Sequence, residues 1–265
     1  MRTALVVLAS LVCAGGASAQ STASVSLSNF RYILADLDPN DGIDPSLSFA
    51  PATAVTSSGA ATVEETFSGD VAHNTATGLE AFGPLSVSAA SARGSSSGEI
   101  GGTLDLLSMQ AASTLTAANG QGNAAYTTLD TGYRGFTLSP MTSVTFLGDA
   151  VLNAAFTAAG ADLISGSSVA SAWMYLGADL NGAADHFDTG LRLSNADGQP
   201  SLSGPLTFTL ANALGTSTSN ELRLTALSDV RASYATAAPV PEPSTWGMLL
   251  AGAAVLAGMT RRRSR

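Results

Sequence analysis

Apolar side chains recur at every second position in separate stretches of this 265-residue chain: Val25 and Leu27; Phe136 and Leu138; Val144 and Phe146; Leu206, Phe208 and Leu210; Leu222, Leu224 and Ala226. Period two is the spacing of a strand with one face against a core, because successive side chains of extended backbone point to opposite sides. Between these stretches lie Pro39-Asn40-Asp41-Gly42, Asn119-Gly120, Asn181-Gly182, Asp197-Gly198 and Gly215 to Asn220. Such residues accept a positive φ or cap their own backbone, which is what tight turns require. The pattern predicts an all-β domain of antiparallel strands, a β-sandwich or jelly roll, with helix in the minority.

Two strand pairs are expected from adjacency. Tyr133 to Leu138 would bend at Ser139-Pro140 into Thr142 to Gly148, and Leu206 to Asn212 would pair with Glu221 to Tyr234. Other segments are less plain. Ala89 to Gly102 is rich in Ser and Gly without a visible period, and reads as a mobile loop or a thin edge strand. Leu104 to Ala118 carries helical spacing through Leu104, Leu107, Ala111 and Leu115, yet its alternation favours strand. Ala150 to Ala161 is alanine-rich and fits either.

The two ends of the chain follow a different logic. Residues 1–19 combine Arg2, an apolar stretch from Ala4 to Ala14 and the small-residue site Ala17-Ser18-Ala19, the pattern of a secretory signal peptide cut by signal peptidase before Gln20. The single cysteine, Cys13, follows Val12 where a lipoprotein site needs a small residue. The mature chain therefore has no thiol and no disulfide. A β-rich extracytoplasmic domain is expected over residues 20–233, a small polar linker over 234–239 and a distinct tail over 240–265.

That tail has three parts. Pro241 and Pro243 fix φ and bias their neighbours toward extended backbone, so Val240, Pro241, Glu242 and Pro243 form a stiff stalk. Ser244 or Thr245 can cap a helix running from Trp246 to Met259, with the indole at a membrane surface. Arg261, Arg262 and Arg263, with Arg265 behind them, make a charge cluster that stays on the cytoplasmic side of a bilayer. From Thr245 to Thr260 a helix would span only about 24 Å at about 1.5 Å per residue, against about 30 Å of hydrocarbon. Its strong apolar residues, Leu249, Leu250, Val255 and Leu256, together supply about 1 to 2.5 kcal/mol of insertion free energy. A thin anchor between a proline stalk and a basic stop suits a temporary hold, as in tails removed when a lipid anchor is attached.

In this order of parts the tail resembles the PEP-CTERM protein-sorting domain. The resemblance covers about a tenth of the chain. It implies an exported protein in an exopolysaccharide-producing Gram-negative bacterium, recognised by an exosortase, an integral-membrane cysteine protease that acts near Pro-Glu-Pro. By that resemblance Pro241, Glu242 and Pro243 are the recognition residues, Trp246 to Met259 the anchor and Arg261 to Arg263 the stop. The segments Asn29 to Tyr32, Leu37 to Gly42, Phe136 to Pro140 and Thr142 to Phe146 are similar to stretches of PEP-CTERM proteins of unassigned role, and imply no catalytic residues. An ordinary single-pass anchor that is never cut is the plain alternative.

Charge narrows the partners. The chain carries 11 Lys+Arg, all arginine, against 20 Asp+Glu, for a net charge of −9. Every acid but Glu242 falls between Gln20 and Pro239, with only six of the arginines. A surface of that sign repels nucleic acid and anionic lipid.

Four constellations carry candidate chemistry. Asp36, Asp38, Asn40, Asp41 and Asp44 gather oxygen donors as a calcium loop does, but Gly42 and Leu47 break the EF-hand register, and a solvated turn is the favoured reading. Calcium is the one cofactor for which the sequence leaves room. Asp179, Asp185, His186 and Asp188 are dense enough for a metal or an acid/base pair, although exposed turn acids are commoner. Gly94-Ser95-Ser96-Ser97-Gly98 has the letters of a nucleophile elbow without its flanking strand and helix. Trp173 and Tyr175 share one face of an expected strand, where they read first as core filler and second as a platform for a sugar ring.

Three function classes follow: a non-enzymatic exported protein associated with the surface or with exopolysaccharide, a carbohydrate-binding module, and a glycoside-acting hydrolase. The first is preferred. The hydrolase would need two carboxylates roughly 5 to 10 Å apart in a cleft.

Overall fold

The computed structural model describes residues 19–51, 56–65, 69–102, 106–117, 122–157, 169–180, 183–194 and 199–232. The expected signal-peptide residues before Ala19, the expected linker and the tail lie outside the described residues, and so does the expected C-terminal membrane helix.

Among the described residues fourteen strands are arranged in two sheets, and every strand pairing between them is antiparallel. Sheet A runs in the order β13 (Ser201–Asn212), β10 (Thr142–Thr157), β1 (Ala19–Asp36), β7 (Leu107–Ala117), β6 (Gly94–Gly101) and β5 (Leu85–Ala90). Sheet B runs β12 (Ala183–Ser194), β11 (Val169–Leu180), β14 (Thr218–Ala232), β8 (Asn123–Asp130), β3 (Ser58–Glu65) and β4 (Asp70–Thr77). β9 (Arg134–Leu138) pairs with β14 and with β2 (Leu47–Phe49) to extend sheet B. The all-β expectation holds, and the two sheets pack face to face as a sandwich.

Period two drives this packing. Along β14 the even positions from Thr218 to Ala232 are buried and the odd ones face outward. One end of the core is aromatic: Phe146 meets Phe30 at 6.0 Å, Phe136 at 6.1 Å and Phe208 at 6.4 Å between ring centroids. Elsewhere the sheets come much closer, because the facing residues are small. Ser113 on sheet A and Ser228 on sheet B share a hydroxyl–hydroxyl hydrogen bond of 2.8 Å across the core.

β1 keeps both halves in register by means of a bulge. Its partners skip between Leu27 and Phe30 on β7, and between Ser28 and Arg31 on β10. Asn29 takes a left-handed φ of 54°, and its Nδ2 donates to Asp149 Oδ2 at 2.7 Å. Leu27 then faces the core on one side of the bulge and Phe30 on the other, so a second stretch of core residues follows the break in alternation.

The two expected strand pairs are not pairs. β9 belongs to sheet B and β10 to sheet A, so Ser139-Pro140 lies on a crossover between sheets. β13 likewise pairs with β10, and β14 with β11, β8 and β9. Asn212 ties the two crossovers together. Its buried Nδ2 donates to Ser139 O and Thr216 O, both at 2.9 Å, while its Oδ1 accepts from Thr218 Oγ1 at 3.1 Å and Leu214 N at 3.2 Å.

Most of the Ser/Gly stretch from Ala89 to Gly102 is an interior strand; only Ala89 and Ala90 belong to the edge strand, and Ser91 to Arg93 form the turn between the two. The stretch contributes the end of β5 and all of β6, and β6 lies between β5 and β7. Its inward positions are Gly94, Ser96, Gly98 and Ile100, so glycine hides the alternation. A Cβ on Gly98 would lie 2.7 Å from Leu129 Cδ2 and from Thr127 Cγ2, which is why that slot is empty. Leu107–Ala117 is strand, as its alternation indicates, and so is Ala150–Thr157, whose alanine-rich sequence fits either state.

Candidate functional site

The molecule has two ends. β1 starts at Ala19 beside Ala117, the last residue of β7, and β14 finishes at Ala232 beside Asn123, the first residue of β8. β7 in sheet A ends at Ala117 and β8 in sheet B begins at Asn123, so the expected signal-peptide junction and the exit toward the tail share one end. At the other end, after Asp36, lies the acidic loop. The 18 residues of β1 separate the two ends by roughly 55 Å at about 3.3 Å per residue.

The acidic loop uses its carboxylates on itself. Asp36 Oδ1 accepts from Asp38 N at 2.9 Å, Asp38 Oδ1 from Asn40 N at 3.2 Å and Asp41 Oδ1 from Ile43 N at 2.8 Å. These are Asx turns, in which each side chain replaces a missing backbone acceptor. Among the described residues no group of three or more His, Cys, Asp or Glu could hold a metal ion.

The register separates the second acidic set. Asp179 pairs with Ala184, Asp185 with Ala178, His186 with Gly177 and Asp188 with Tyr175. Asp185 and Asp188 are three residues apart on one strand, so their positions fall on opposite faces of the sheet. The elbow-like serines lie within β6, where Ser96 is buried and donates to Thr62 O at 3.2 Å.

Trp173 and Tyr175 depart from their favoured reading as core filler. Opposite them on β14 are Leu227 and Thr225, which alternate with the buried Ala226 and Ser228. Directly paired residues share a face, so the two aromatics stand on the outer side of sheet B. They are half-buried, their ring centroids are 5.9 Å apart and their planes differ by 21°. Sequence spacing placed them on one face, but which face depended on β14.

The same outer face carries ion pairs. Arg223 Nε donates to Asp130 Oδ1 at 3.0 Å, its Nη2 donates to Asp130 Oδ2, and its Nη1 donates to Tyr133 OH at 2.9 Å. The Arg223 guanidinium carbon lies 4.9 Å from the centre of the Tyr133 ring. Hydrogen bonding to Asp130 raises the Arg223 guanidinium well above its ordinary range, and Asp229 raises Arg231 in the same way. No spacing rule links residues 130, 133 and 223, and sequence reading missed this set.

The comparisons bear on the tail. Residues 239–264 match the family model described as the PEP-CTERM protein-sorting motif. The chain carries a PEP-CTERM tail. Val240, Pro241, Glu242 and Pro243, the anchor run around Leu249, Leu250, Val255 and Leu256, and Arg261 to Arg263 all fall inside the matched segment. A PEP-CTERM tail marks an extracellular protein sorted by an exosortase, itself a membrane protein. The β-domain has no family match, and no curated protein or solved structure matches the chain significantly.

Proposed function

We propose that this chain is a non-enzymatic exported protein, tethered briefly at the inner membrane with its β-domain in the periplasm. It is then cut near Pro241-Glu242-Pro243 and released to the cell surface or to an exopolysaccharide matrix. The observation that carries this reading is the PEP-CTERM motif at residues 239–264. The fold supports it, because both ends of the β-domain emerge on one side and leave the opposite end free to face outward. The short apolar run, about 6 Å thinner than the hydrocarbon core, suits a hold that is later released. No cofactor is assigned. In the acidic loop one oxygen each of Asp36, Asp38 and Asp41 accepts a backbone N–H.

Mass spectrometry of the mature protein from cells with and without the candidate exosortase tests this. The expected result is a carboxyl terminus near Pro243 in wild-type cells and an intact Arg265 in the mutant. Intact Arg265 on the mature wild-type protein would establish a permanent anchor instead.

A further inference from the structure

The outer face of sheet B holds an arrangement that export does not use. Trp173 and Tyr175 present near-parallel rings, with planes 21° apart, in the middle of β11. Across from Trp173 on β12 stands Gly190, which is exposed, so no side chain screens the indole from that direction. Across from Tyr175 stands Asp188, also exposed. Among the described residues β12 is the outermost strand of the sheet.

By register, five carboxylates (Asp130, Asp179, Asp188, Glu221, Asp229) and three guanidiniums (Arg192, Arg223, Arg231) take positions on this same face around the rings. The border is mixed, with acids in excess. Asp130 pairs with Arg223 and Asp229 with Arg231, whereas Asp188 and Arg192 are exposed and enter no ion pair among the described residues.

We propose that this face binds a neutral polysaccharide, with Trp173 and Tyr175 stacking on sugar rings and Asp188 and Arg192 bonding their hydroxyls. A pyranose has an apolar C–H face and a rim of hydroxyls that both donate and accept, matching a small aromatic centre inside a border that holds both carboxylates and guanidiniums. Other occupants fit less well. A protein interface needs about 800 Å² on each side with charge depleted from its centre, and here the apolar centre is two rings and Leu227. Nucleic acid and anionic lipid are repelled by a chain of net charge −9. From β12 to β8 the strands span about 14 Å at about 4.8 Å each, room for two to three sugar units.

The test uses the full-length chain in detergent, in a Trp246→Phe background that leaves Trp173 as the sole tryptophan. Native electrophoresis runs through gels containing hydroxyethyl cellulose, xylan, galactomannan or dextran, with alginate as the anionic comparison, and Trp173 fluorescence is titrated with each polymer. Expected are retardation by at least one neutral polymer, a shift in Trp173 emission, and about tenfold weaker binding in Trp173→Ala. Trp173→Phe should keep most of the affinity, and Ser24→Ala on the opposite face should keep all of it. Asp188→Asn supplies a second variant that leaves the rings in place, and it should weaken binding several-fold. No retardation by any neutral polymer, a preference for alginate, or equal binding by folded Trp173→Ala and its parent would overturn the proposal.

Discussion

The two outer faces of the sandwich cover the same core, yet they differ in kind. Sheet A presents mainly hydroxyls and small side chains, with Ile33 and Val151 exposed among them: Thr145 bonds Thr209 at 2.9 Å, Asn153 Nδ2 donates to Ser24 Oγ at 3.3 Å, and Ser86, Ser88, Ser97, Glu99 and Gln110 line a shallow depression. Its one tyrosine among the described residues, Tyr32, packs against the core. Sheet B presents Trp173, Tyr175, Tyr126 and Tyr133, with two Arg–Asp ion pairs among them. Most inward positions on both sheets are held to apolar or hydrogen-bonded residues by the need to exclude water, with Ser21 and Asn123 as buried polar exceptions. Outward positions carry no such demand, so a concentration of aromatics and ion pairs on one of them points to something beyond folding.

The contrast depends on stability residing inside and chemistry residing outside. The largest expected effect is therefore at an inward position behind the plain face. Gly98→Val should cost about 3 kcal/mol, because its side chain would enter space held by Leu129 and Thr127. Chemical denaturation measures this, and a loss below about 1 kcal/mol would mean that the sheets separate easily there. Next comes Arg223→Ala on sheet B, expected to cost about 1 kcal/mol from a partly solvated ion pair and the contact with Tyr133. A shift in melting temperature reports it, and no shift would make the charged face energetically as plain as the other. The smallest is Thr145→Ala on the outer side of sheet A, expected within about 0.5 kcal/mol of the parent. A clear loss there would erase the distinction between the faces.

Much of this architecture is legible locally. Strands at Phe136, Val144, Leu206 and Leu222 follow from alternation, because an apolar residue at every second position can be buried only by extended backbone against one core. The self-capping of the acidic loop follows from Asp at turn positions. What alternation does not carry is partnership. β9 and β10 are joined by three residues and still enter different sheets, because Asn212 and the aromatic core stabilise a crossover where adjacency suggests a hairpin. β6 escaped notice because its inward slot at Gly98 is filled by Leu129 and Thr127 from the facing sheet, and that at Gly94 by Val63 from the facing sheet and Leu115 from the neighbouring strand.

The amino-acid sequence alone determined the destination of this protein and its strand class. Both are encoded in contiguous residues: a proline stalk, an apolar run and an arginine cluster at one end, and period-two patterning through the body. Only the tertiary structure decided which side of sheet B holds Trp173 and Tyr175, and that Asp130 meets Arg223. Those facts depend on register between strands far apart in the chain, where a shift of one residue would exchange the inner and outer faces.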